Sequence, residues 1–324
     1  MKNILVTGGA GYIGSHAVRM LAKQGYRPVI LDNLSNGHRE AAQGFPFVSG
    51  DFSDKALLQQ IFEQYAIEAV MHFAAYIEVG ESVRSPEKYY QNNTEKVRNL
   101  LEVMVESKVP YFIFSSTAAI FGEPLTPLIA EDHPMQPVNP YGRSKWMTEQ
   151  LLADFNKKHG IKFIALRYFN AGGADESGEI GEAHSPETHL IPLLLQTALG
   201  KRESFQLFGT DYPTPDGTCI RDYIHVNDLA RAHILALEKL RRDNTCECFN
   251  LGSGNGISVA QMIQQTKQVT GIDFKVEIKN RRPGDPARLA ANCTKAKQVL
   301  GWTPSYSLEK IIQTAWAWEQ HRKY

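Results

Sequence analysis

Residues 7–14 read Thr7-Gly8-Gly9-Ala10-Gly11-Tyr12-Ile13-Gly14. Gly8, Gly11 and Gly14 are spaced three apart, and Gly9, Gly11 and Gly14 also satisfy Gly-x-Gly-x-x-Gly. An apolar run, Lys2–Val6, leads straight into the turn, and an amphipathic stretch opens at Ser15. Strand, glycine turn, helix is the context in which such glycines cradle a pyrophosphate. Glycine lets the backbone turn tightly and come close to the anion. The helix start then offers free N–H groups and the positive end of its dipole. A triphosphate loop would need Gly-x-x-x-x-Gly-Lys-Ser/Thr, which does not follow here.

Outward from this turn, short apolar runs alternate with helical patterns. Strands are expected at Lys2–Val6, Pro28–Leu31, Ala69–Phe73, Tyr111–Ser115 and Lys162–Arg167. Helices are expected at Ser15–Gln24, Lys55–Tyr65, Pro86–Glu106 and Tyr141–Lys158. This alternation predicts an α/β chain with a doubly wound, Rossmann-like parallel sheet covered by helices on both faces. After Asn170 the texture becomes Gly-rich and irregular, up to a Trp-bearing helix at Leu308–Arg322. A boundary therefore falls near residue 170. Residues 1–169 would hold a dinucleotide. Residues 170–324 would form a smaller mixed α/β, substrate-binding domain, with some segments free to return to the first.

Asp32 ends the second expected strand, 18 residues past Gly14. A carboxylate there accepts from both ribose hydroxyls and repels a 2′-phosphate, which favours NAD over NADP. Tyr141 and Lys145 lie four apart on one helical face. A tyrosine is a poor base at its free pKa near 10. A nearby ammonium favours the phenolate, as would a positively charged nicotinamide. Such a phenolate takes a proton from an alcohol while hydride leaves the same carbon. Tyr306 and Lys310 repeat the spacing but only open the last helix. Thr117 ends a strand at the carboxyl edge, where ligands bind in such sheets.

The chain has 324 residues, 43% of them hydrophobic and 22% charged, which allows a buried core and excludes a disordered chain. Lys+Arg and Asp+Glu both number 35, so the net charge is zero. Without a basic run, nothing marks a nucleic-acid binder. Four cysteines, with no Cys-x-x-Cys, form no disulfide framework and suit a reducing cytoplasm. No export signal fits before Gly8, no membrane span is indicated, and two Asn-x-Thr sequons read as chance.

With these residues in view, the first half resembles the extended short-chain dehydrogenase/reductase family. The resemblance rests on the glycine turn, Asp32-Asn33, Gly50-Asp51, His72-Phe73-Ala74-Ala75, Val79-Gly80-Glu81-Ser82, Ser115-Ser116-Thr117 and the Tyr141/Lys145 pair. The second half carries Arg167-Tyr168-Phe169-Asn170, Phe208–Thr214, Arg221–Val226 and Arg281-Arg282-Pro283-Gly284-Asp285. These are similar to the UDP-glucose 4-epimerases within that family. The resemblance implies that Gly8, Gly11, Tyr12, Ile13, Gly14, Asp32 and Asn33 hold NAD. It implies the same for Asp51, Phe52, Phe73, Ala74, Ala75, Asn92 and Lys145. Tyr168 and Phe169 would line the nicotinamide end. Asn170, Leu190, Phe208, Arg221, Tyr223, Arg282 and Asp285 would hold the UDP-sugar, with Thr117 and Tyr141 at the reacting hydroxyl. Departures occur at Ile77, where some members carry lysine, and at His189, where some carry asparagine. Leu289 falls where N-acetylated sugars are gated, and Thr117 keeps the hydroxyl of a common serine.

A sugar-nucleotide dehydratase on the same scaffold usually places an acidic pair after the threonine. Here Ala118 and Ala119 follow. Epimerases of other UDP-sugars stay open, and a non-catalytic NAD-binding module would not need Tyr141 and Lys145. His184, Glu187 and His189 lack the helical His-x-x-x-His spacing, so no metal is expected. The resemblance further implies a homodimer through helices 86–106 and 141–158.

Overall fold

Ile4, Leu5 and Val6 are fully buried because their strand has neighbours on both edges and helices on both faces. The computed structural model describes residues 2–282 and 285–324; Pro283 and Gly284 of the Arg281–Asp285 stretch lie outside the described residues. Six strands of the first half are β1 (Asn3–Thr7), β2 (Arg27–Asp32), β3 (Phe47–Ser49), β4 (Ile67–His72), β5 (Tyr111–Thr117) and β6 (Lys162–Tyr168). With Glu247–Leu251 they form one seven-stranded sheet, in the order Glu247–Leu251, β6, β5, β4, β1, β2, β3. Every pairing in it is parallel.

Side chains alternate across the strands. Ile4 and Val6 face one apolar layer with Val18 and Leu21 of α1 (Tyr12–Lys23). Leu5 faces the other, with residues of α2 (Lys55–Tyr65). The later helices are α3 (Val79–Arg84), α4 (Pro86–Tyr90), α5 (Lys96–Glu106), α6 (Pro140–His159), α7 (Leu190–Ala198), α8 (Val226–Asp243), α9 (Val259–Thr270) and α10 (Leu308–Gln320). Helices α5 and α6 join α2 on the second face, whereas α8 crosses back from the second half to pack beside α1 on the first.

Local chemistry sets the ends of α6. The Asn139 side chain accepts from Gly142 N at 2.8 Å, Pro140 opens the first turn, and Gly160 closes the helix with φ 77° after Lys157, Lys158 and His159. Cap, proline and terminal bases each favour this register. The expected helix 86–106 is interrupted: Gln91–Glu95 form a π-helical turn between α4 and α5.

Beyond residue 170 lie short strand pairs, Asn170–Gly172 with Tyr223–His225 and Phe205–Phe208 with Val276–Lys279. Ile220–Arg221 runs between Ile257–Ser258 and Arg288–Leu289. Helices α7, α9 and α10 share a separate apolar core under them. No helix among the described residues is long and apolar enough to cross a membrane.

Candidate active site

The glycine turn leaves β1 and meets the loop after β4. A Cβ at Gly8 would lie 2.6 Å from Ala74 N, and one at Gly14 would lie 2.1 Å from the Gly8 carbonyl oxygen, so neither position admits a side chain. Gly11 differs, since its added Cβ would meet only the Gly8 carbonyl oxygen, at 3.3 Å. Its free side faces a cleft of about 430 Å³ at the carboxyl edge of the sheet. No side chain caps the start of α1, and its first turn holds no acidic residue. The bare helix start and the close backbone are a cradle for an anion.

Asp32 borders the same cleft. Its carboxylate accepts from Ala10 N and Leu34 N, each at 2.9 Å, which fixes its orientation. Burial raises its pKa and those N–H groups oppose the rise. Asn33, Phe52, Phe73, Ala74 and Ala75 line the cleft too. Asn92 reaches it from the π-helical turn, a distortion common where a helix serves a site. The residues present therefore fit a dinucleotide. Asp51 is an exception. It is not among the residues lining the cleft, although Gly50 and Phe52 on either side are; its carboxylate accepts from Lys96 Nζ at 2.6 Å and from Ser53 and stays part-exposed.

Tyr141 and Lys145 stand in the first turns of α6, and both line the cleft with Thr117. Gly142 makes this possible, since a Cβ there would lie 2.3 Å from the Ala119 carbonyl oxygen. The helix can thus rest directly on the turn that ends β5. Burial holds the Tyr141 phenol above its ordinary value, and the neighbouring Thr117 hydroxyl works against that rise. Lys145 Nζ donates to the Ser115 carbonyl at 2.9 Å, and burial pushes it down to about 7. Burial thus disfavours charge on either group.

Ile77, Tyr168 and Phe169 line the cleft from the first half, and Asn170, His189, Leu190, Tyr223 and Leu289 line it from the second. Four expected sugar-nucleotide residues gather outside its lining. Arg221 pairs with Asp285 at 3.1 Å, and the Arg282 guanidinium lies over the Phe208 ring at 4.0 Å. Arg221 is in register with Leu289, so this group adjoins the cleft's end.

Several lining residues were not anticipated. Ser35, Asn36 and Gly37 follow β2 and press on the glycine turn, with His38 N donating to the Ala10 carbonyl at 3.0 Å. The run Asp-Asn-Leu-Ser-Asn-Gly held that signal. Glu182 and His184 also line the cleft, and Glu182 stands 3.0 Å from His189 Nδ1. Burial opposes charge on that imidazole, but Glu182 and Glu187 hold it well above its ordinary value.

The NAD dependent epimerase/dehydratase family profile matches residues 4–252. The chain belongs to that family. The family match ends just past the seventh strand of the sheet. The chain is 51% identical to the UDP-glucose 4-epimerase of Halalkalibacterium halodurans, over 99% of this chain and 96% of that one. It superposes on the UDP-glucose 4-epimerase of Brucella ovis, solved with NAD, with TM-score 0.95 and 48% identity over 98% of both chains. The Bifidobacterium longum UDP-glucose 4-epimerase, solved with NAD+ and UDP, gives TM-score 0.94 at 36% identity over 99% of both.

Proposed function

We propose that this protein is an isomerase that interconverts UDP-glucose and UDP-galactose by inverting sugar carbon 4 through a transient 4-keto sugar, with NAD held in the cleft. The observation that carries the reading is Tyr141, Lys145 and Thr117 lining one cleft with the uncapped start of α1 and Asp32. Near-full-length identity of 51% to a UDP-glucose 4-epimerase supports the same substrate class.

When bound, NAD supplies the oxidant that takes hydride from carbon 4 and the reductant that returns it to the opposite face. The glycine turn and α1 would hold its pyrophosphate and Asp32 its ribose. Tyr141 Oη takes the proton of the 4-hydroxyl and later gives one back, with the Thr117 hydroxyl aligned on the same oxygen. Lys145 supplies the compensating positive charge. The UDP portion would be anchored by the second half, through Asn170, Leu190 and Tyr223 at the cleft and the Arg221, Asp285, Arg282 and Phe208 group beside it. Remote anchoring leaves the sugar few fixed contacts, so it can present either face.

Incubation of the purified protein with UDP-glucose is expected to give UDP-galactose with no net NADH. Parallel arms with UDP-N-acetylglucosamine and UDP-glucuronate probe the room beside Leu289. Turnover of either of those, with none of UDP-glucose, would overturn the substrate assignment.

The protein would work in the cytoplasm, which suits its four free thiols. It would also pair with a second copy through the outward sides of α5 and α6. Val97, Leu100, Leu101, Met104, Leu151 and Phe155 are already buried within the protomer. Val105 and Trp146 keep some surface, and Met147 is 37% exposed. Light scattering at micromolar concentration is expected to give twice the chain mass; a monomer mass would refute the pairing.

A further inference from the structure

We propose that Glu182, His184, Glu187 and His189 form a binding site for one divalent transition-metal cation, zinc above all, on the wall of the cleft. One ligand atom from each of the four lies within 4.8 Å of the others. His184 Nδ1 is 3.3 Å from Glu182 Oε1 and 3.8 Å from Glu187 Oε2, and His189 Nδ1 is 3.0 Å from Glu182 Oε1. A tetrahedral ion with bonds of about 2.0–2.1 Å sets its donors about 3.3 Å apart. The 3.0–3.8 Å separations bracket that spacing, so small side-chain shifts would close the four donors into such a shell.

A second observation points to a ligand. Glu187 Oε2 has no hydrogen-bond partner on a side chain only 4% exposed, and His184 Nδ1, also without a hydrogen bond, has only its 3.3 Å ion-pair contact with Glu182. Buried polar atoms are rarely left so. The other Glu187 oxygen is fully engaged, by Thr188 N at 2.8 Å, His189 N at 2.9 Å and His189 Nδ1 at 3.0 Å. At 3.8 Å the two orphaned atoms are too far apart to share a proton, but a cation between them would satisfy both.

Two imidazoles and two carboxylates suit zinc or a neighbouring first-row ion, and they suit magnesium or calcium poorly. Four protein ligands close the shell, which is the pattern of a structural ion. Any proton shared by His189 and the carboxylates leaves as the cation enters. The segment has anchors elsewhere. The Ala183 carbonyl accepts from His38 Nε2 at 2.7 Å, and the Glu182 carbonyl accepts from Trp318 Nε1 at 2.8 Å. A cation would lock this bridge between the first half and the last helix. The helical spacing rule misses the site because its ligands sit on an irregular segment before α7.

The test uses untagged full-length protein, stripped with chelator, loaded with zinc and passed through a desalting column. About one zinc per chain and a raised melting temperature are expected, with no such shift from magnesium. Cobalt loading should give the visible absorption of a tetrahedral site without a thiolate charge-transfer band. His184→Ala and Glu187→Gln should each abolish retention, whereas Cys246→Ser and Cys248→Ser should not. No retained zinc in the unmodified protein, a thiolate band with cobalt, or undiminished retention in the His184 and Glu187 variants would overturn the proposal. The cobalt spectrum decides the matter even if a variant fails to fold.

Discussion

Tyr141→Phe is expected to lower kcat by about 10²–10⁴-fold, the range spanned by a positioned acid–base group. The substitution removes one oxygen and keeps the ring, which meets Tyr89 edge-on with centroids 6.4 Å apart. Folding and UDP affinity should therefore hold within a few-fold. The pH profile gives a second readout. The reactive form is the phenolate, so the wild-type rate should rise with pH as Tyr141 deprotonates. Burial alone would put that rise above the ordinary tyrosine range. The Thr117 hydroxyl acts to bring it down, as would any positive charge brought beside the phenol. The residual rate of the phenylalanine variant should lose this rise. Steady-state kinetics across pH, with UDP binding by calorimetry, checks both. A variant as fast as the parent would end the assignment of Tyr141 as the base.

Asp222→Ala is expected to destabilise the fold by about 4 kcal/mol or more. The residue is fully buried, and its carboxylate accepts from Ser253 N and Ser253 Oγ at 2.6 Å and from Gly254 N and Ala291 N at 2.9 Å. Alanine removes four bonds to a charged group, each worth about 1.5–3 kcal/mol at most, and leaves the buried Ala291 N–H without a partner. It also loosens Arg221 and Tyr223 on either side, so the melting temperature and UDP affinity should fall together. Unfolding by urea measures the first, and a loss under 1 kcal/mol would contradict the account. The motif Arg221-Asp222-Tyr223 is thus split by role. Its centre ties three loops together, while its flanks face the cleft or the group beside it.

The first half was legible because its signals are local. Ile4-Leu5-Val6 before the glycine turn places β1, and the helical pattern from Tyr141 to Lys158 places α6, to within a residue or two. The π-helical turn was hidden, because its cause lies across the fold. Asn93 and Thr94 bond to Ser144, and Thr148 bonds to the Asn93 carbonyl, through side chains that no apolar period reports. The seventh strand was equally hidden. Glu247–Leu251 mixes charge and amide with Phe249, and its fully buried Asn250 donates through Nδ2 to the Ile129 carbonyl and through its backbone N–H to Glu131. Asp51 matches its motif, and its ion pair with Lys96 of α5 is a long-range contact that the motif does not announce. The Glu182–His189 cluster depends on loop geometry that spacing does not encode.

A chain whose final sheet strand arrives only after residue 246 cannot be divided at residue 170 into self-sufficient pieces. A fragment ending there would leave β6 as a bare edge and strip α1 of the helix that covers it, inviting aggregation. The same interlock means that the part facing the sugar is fastened to the floor beneath the dinucleotide. Presenting either face of the sugar would then fall to rotation about its phosphate linkage rather than to separation of the two halves of the chain.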